Sequence, residues 1–96
     1  MAYRIFYTPE ALEDLETIVE FIRADNPSAA LKFGTGLLNH VNLLASFPRL
    51  GAPVRRKPGV LEMLHNPIRV YYRIVEERKQ IDILHFWHAA RTPPVL

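Results

Sequence analysis

Arg69, Tyr71 and Arg73 alternate with Val70, Tyr72 and Ile74 along the stretch Ile68 to Val75. Side chains of an extended strand point to opposite faces in turn. Arg69, Tyr71, Arg73 and Val75 therefore share one face, and Ile68, Val70, Tyr72 and Ile74 the other. Two guanidinium groups flanking an aromatic ring suit the gripping of a phosphate or carboxylate through paired N–H donors. His88 and Arg91 form a second set, where an imidazole at a strand end can act as acid or base near neutral pH. A third set, Arg49, Arg55, Arg56 and Lys57, lies in a proline- and glycine-rich stretch. Glu62, the sole acidic residue between Arg49 and Arg73, stands on a neighbouring strand within reach of Arg69 or Arg73. Read without a functional role, these residues make ordinary cross-strand ion pairs worth roughly 0.2–1 kcal/mol each.

Other chemistries are absent from the pattern. The chain has no cysteine, which excludes disulfides, thiolate metal sites and a cysteine nucleophile. His85 and His88, three apart on a strand, are expected on opposite faces and make a poor metal pair, so no metal and no cofactor is expected. His85 and Trp87 read as packing residues, and His40 and His65 as surface residues. No glycine-rich phosphate loop, Gly-x-Ser-x-Gly elbow or zinc-helix motif occurs. No apolar run approaches the roughly 20 residues of a membrane helix. Met1-Ala2-Tyr3-Arg4 lacks the plan of a signal peptide, so a cytoplasmic protein without membrane contact is expected.

Charge is divided along the chain. The net value is +2, but residues 1–26 carry −4 and residues 27–96 carry +6. Nine of the 12 basic residues are arginine. Such a balance points to an anionic partner: RNA, DNA or an acidic protein segment.

The elements that position these residues follow from the same reading. At 96 residues the chain is expected to form one domain, 1–96, ending in an extended tail over 92–96. Tyr3 to Tyr7 reads as a strand, rich in aromatic residues. Thr8 is a candidate N-cap and Pro9 suits the first helical position. Ala11, Leu12, Leu15, Ile18, Val19 and Ile22 recur at helical spacing, which predicts a helix from Pro9 to about Ala24. Asn26-Pro27 caps a second helix, predicted to run to about Ser46, in which Gly34 and Gly36 read as points of close approach to the first. A stiff loop from Phe47 to Gly59 follows. Val60 to Leu64, Ile68 to Val75 and Gln80 to Trp87 read as strands joined by the turns His65-Asn66-Pro67 and Glu76 to Lys79. The predicted fold is α+β in the order β-α-α-β-β-β, with an antiparallel helix hairpin on one face of a mostly antiparallel four-stranded sheet. The other sheet face is expected to be uncovered.

Taken in order, several segments resemble the RelE/ParE superfamily of toxins from bacterial type II toxin–antitoxin modules. They are Thr8-Pro9-Glu10-Ala11 through Leu15, Pro27-Ser28-Ala29-Ala30, Phe47-Pro48-Arg49-Leu50-Gly51, Arg69 to Ile74, and Ile83 to Arg91. The ending His88-Ala89-Ala90-Arg91 is similar to the ParE branch in particular. That resemblance implies a plasmid-stabilisation or addiction toxin that arrests growth by binding and inhibiting DNA gyrase, without catalysis. Arg55, Arg56, Arg69, Arg73, His88 and Arg91 would then form the target-binding surface. The RelE branch implies instead a ribosome-dependent mRNA endonuclease. There Arg69 would stabilise phosphorane charge, and Glu62 would orient it or take the 2′-hydroxyl proton with or instead of His88. A third reading is a non-toxin RNA-binding module. The resemblance also implies a cognate antitoxin, hence a toxin–antitoxin hetero-oligomer, landing on the open sheet face, the helix pair or the basic loop.

Overall fold

The computed structural model describes residues 2–96. β1 (Arg4–Tyr7) leads through Thr8 into α1 (Pro9–Asp25). The Thr8 hydroxyl accepts from the Ala11 N–H at 3.2 Å and donates to the Ile83 carbonyl at 2.8 Å. One side chain thus caps the helix and ties its start to the last strand. Asn26 serves two helices. Its N–H donates to Ile22 of α1, and its side chain accepts from the Ala29 N–H at 3.0 Å to start α2 (Pro27–Asn42). The second helix is shorter than its apolar stripe predicts: after Asn42 the chain tightens into a 3-10 turn over Leu43–Ala45, which still buries Leu44. Close approach does not account for the helix glycines. A Cβ on Gly34 would meet Val19 at an ordinary 3.7 Å, and one on Gly36 would meet nothing.

The sheet has five strands rather than four. The loop after α2 contains a two-residue strand, β2 (Ala52–Pro53), paired antiparallel with β3 (Val60–His65). β4 (Ile68–Val75) and β5 (Gln80–His88) complete the order β1-β5-β4-β3-β2. Only β1 runs parallel to its neighbour, β5. Tyr72 holds the preceding loop in place: its hydroxyl donates to the Pro48 carbonyl at 2.8 Å and accepts from the Gly51 N–H at 2.9 Å. Gly51 approaches β3 so closely that a Cβ there would lie 2.4 Å from the Glu62 carbonyl oxygen.

The helix pair covers one face. Ala11, Leu37, Val41 and Leu44 pack on Leu61, Met63, Val70, Tyr72, Ile81, Ile83 and Phe86, following the predicted alternation of β4. β5 does not keep strict alternation. Tyr71 pairs with His85 and Tyr72 with Ile83, which leaves Leu84 as the extra residue of a bulge. The bulge resets the faces, so Phe86 joins the core while Leu84 and Trp87 turn to the opposite side. Where β1 ends, α1 takes over the edge of β5: Asp14 accepts the Phe86 N–H at 3.2 Å and lies 2.8 Å from His85 Nδ1. His40 and His65 are half-buried rather than surface residues, their Nδ1 atoms 2.8 Å apart across α2 and β3. Among the described residues, no helix is long and apolar enough to cross a membrane.

Candidate binding cleft

The sheet face opposite the helices is partly roofed, contrary to expectation, but not by helices. Val54, Val60 and Tyr71 form a second small core, joined by Leu84, Trp87 and Leu96. Segment 92–96 lies across the strands and buries Pro94, and Tyr71 retains only 2% of its accessible surface. Two side-chain donors fasten this segment. Trp87 Nε1–H donates to the Thr92 carbonyl at 2.8 Å, and Arg56 Nη2–H to the Pro94 carbonyl at 3.0 Å.

Beside the segment opens a cleft of about 320 Å³, lined by Arg56, Glu62, Arg69, Tyr71, Trp87, His88, Ala89, Arg91 and Pro93. Its floor is aromatic and its rim cationic. The Arg91 guanidinium carbon lies 4.1 Å from the Trp87 ring centroid, a stacking distance at which the ring's negative face attracts the cation. Arg56 lies 5.8 Å from the Tyr71 centroid. Arg69 donates to Glu62 at 2.7 Å. That pair is diagonal, since Glu62 stands opposite Tyr71 and Arg69 opposite Leu64. Among the described residues, Arg56 and Arg91 have no carboxylate within ion-pair distance.

The turn after β5 sets Arg91 in place. The Ala89 N–H donates to the Pro67 carbonyl at 2.8 Å, the Ala90 N–H to His88 Nδ1 at 3.1 Å, and the Arg91 N–H to the His88 carbonyl at 3.0 Å. With Nδ1 accepting, the His88 ring carries its proton on Nε2, which can donate.

Of the residues singled out in the sequence, Arg56, Glu62, Arg69, His88 and Arg91 meet in this cleft. Two do not. Arg55 is exposed and lines no part of it. Arg73 is on the same face but further along β4, held by Asp82 at 3.3 Å, with Asp82 braced by Gln80 at 2.7 Å. Tyr71, the ring between Arg69 and Arg73 in the sequence, and Trp87, which its position in the strand marks as a packing residue, both line the cleft. Trp87 and Arg91 are four apart, but their stacking depends on the turn between them. No group of three or more potential metal ligands occurs among the described residues.

Residues 5–93 match the family model described as the ParE toxin of the type II toxin–antitoxin system parDE. Among solved structures, the chromosomal ParDE toxin–antitoxin system of P. aeruginosa is 25% identical over 91% of this chain and 96% of that one, with a TM-score of 0.77. The RelBE2 toxin–antitoxin complex of Mycobacterium tuberculosis is 29% identical over 92% of this chain and 99% of that one, with a TM-score of 0.63. The isolated E. coli RelE toxin shares the fold at 17% identity, covering 95% of this chain and 88% of that one, with a TM-score of 0.60. Comparison with curated proteins returned no match.

Proposed function

Since the chain belongs to the ParE toxin family of type II toxin–antitoxin systems, we propose that it arrests bacterial growth by binding and inhibiting DNA gyrase in the cytoplasm, without catalysing a reaction. Membership of a toxin family displaces the non-toxin RNA-binding reading. The observation that carries the binding reading is the state of the cleft: its guanidinium groups are held ready, while its candidate proton acceptors are engaged. His88 Nδ1 already accepts from the Ala90 N–H at 3.1 Å, and Glu62 Oε1 accepts from Arg69 at 2.7 Å. A base that already accepts a hydrogen bond must give up or share that bond before it takes a proton from substrate. The higher TM-score with the ParDE structure than with the RelE toxin, 0.77 against 0.60, supports the same branch.

One observation favours the endonuclease alternative: Arg69, Glu62 and His88 do line the same cleft. Supercoiling assays with purified gyrase separate the two. The binding reading expects inhibition by the wild-type protein and a DNA-damage response on induction. Rapid translational arrest with mRNA cuts at codon boundaries, and no effect on gyrase, would replace it with the endonuclease.

We infer also a cognate antitoxin. The helix hairpin exposes Phe21 at 81% and Leu31 at 74%, large apolar groups of the kind that mark a protein interface. An acidic antitoxin segment would complement the +6 portion of the chain. Co-purification with the product of the neighbouring reading frame is the expected result.

A further inference from the structure

We infer that the cleft between β3, β4 and the turn after β5 receives a carboxylate side chain from an acidic segment of the target protein, gripped between Arg56 and Arg91. The inference rests on the target-binding reading and specifies the chemistry of that contact. Three observations carry it.

The first is charge. Three guanidinium groups and one carboxylate line the cleft, an excess of two positive charges that nothing in the described chain offsets. The second is restraint. Arg91 sits over the Trp87 ring, its guanidinium carbon 4.1 Å from the centroid, and Arg56 is anchored through one Nη2–H on the Pro94 carbonyl. A stacked guanidinium keeps its in-plane N–H edges free for a fork contact, and an anchored one loses less entropy on binding. The third is precedent within the cleft itself, which already holds one carboxylate, Glu62, at 2.7 Å from Arg69. The His88 Nε2–H adds a neutral donor at the rim.

A nucleic acid fits less well. Tight binding to a polyanion requires a run of neutralised phosphates. Along β4 the next guanidinium after the cleft, Arg73, is answered by Asp82.

Trp87 is the only tryptophan and lies in the cleft, so its fluorescence reports occupancy directly. The full chain is titrated with a glutamate-rich octapeptide, with inorganic phosphate and with a ten-nucleotide single-stranded RNA. The expected result is a saturable Trp87 response to the peptide. Its dissociation constant should rise about tenfold or more in the Arg56→Gln/Arg91→Gln double variant, as for a central arginine anchor, and less than twofold in Arg23→Gln, which removes a charge from the helix hairpin. Arg91→Lys, which keeps the charge but not the fork, should fall between. Unchanged melting temperature in each variant shows that the fold is retained. No response to the peptide, equal response in the double variant, or tighter binding to the RNA with a steep salt dependence would each overturn the inference. Supercoiling assays separate it from the function on which it rests. Inhibition of gyrase that survives in the double variant sinks the cleft and spares the target. Peptide binding without gyrase inhibition sinks the target and spares the cleft.

Discussion

The two ends of the sheet face opposite the helices carry the same residue types and do different things. Near Gln80, Arg73 meets Asp82 across β4 and β5, and Gln80 braces the carboxylate. Near His88, Arg56 and Arg91 meet a carbonyl and an indole face instead of a carboxylate. Both ends therefore hold their arginines still, but only one leaves charge unspent. A cross-strand partner within the fold turns a guanidinium into a structural element; an aromatic or carbonyl partner fixes its direction without cancelling it. Arginine content alone does not distinguish the two cases. The group each guanidinium meets does: Asp82 for Arg73, a carbonyl and an indole for Arg56 and Arg91.

The comparison can be broken most sharply at the unspent end. Removing both Arg56 and Arg91 should weaken gyrase inhibition by about tenfold or more, measured as the concentration for half-inhibition of supercoiling. A next effect tests the scaffold beneath. Tyr72→Phe leaves the Gly51 N–H and the Pro48 carbonyl without their partner, and should cost about 1–3 kcal/mol, a fall of several degrees in melting temperature. Smaller still is the effect at the spent end. Arg73→Gln should change gyrase inhibition less than about twofold and stability by no more than about 1 kcal/mol, the range of a half-exposed pair. An equal loss at both ends would mean that internal pairing does not decide which arginines are available.

The smallest expected effect concerns pH. Burial, with the adjacent His40, holds the His65 imidazole below its ordinary value. The native state therefore resists a proton that the unfolded chain accepts, and stability is expected to fall as pH drops below about 6.5. Melting temperature should be level between pH 8 and 7 and decline towards pH 5.5, less so in His65→Asn. A flat profile in the wild type would remove the linkage.

The local signals in the sequence lead to correct elements because their physics is local. Thr8-Pro9 and Asn26-Pro27 each place a cap before a proline, and both helices begin there. The alternation of β4 sorts core from cleft because it depends on neighbours two apart. Other features depend on distant contacts. β2 is two residues long and exists only through its pairing with Glu62 and Leu61. The bulge at Leu84 depends on register, and it decides that Trp87 reaches the cleft while Phe86 enters the core. The roof formed by segment 92–96 follows from the positions of Trp87 and Arg56, which composition does not fix. The residue types of the site were legible in the chain; which of them meet was not, and Arg73 separates from Arg69 because β5 offers it Asp82.

The parallel pairing of β1 with β5 sets a schedule for the nascent polypeptide. Arg4 waits for Gln80, 76 positions downstream, before it finds the strand beside which it belongs. Such distant closure is slow in folding terms, and it cannot begin during translation until the last strand has left the ribosome. His88 and Arg91 emerge later still. A partly synthesised molecule therefore has neither the closed sheet nor the cleft.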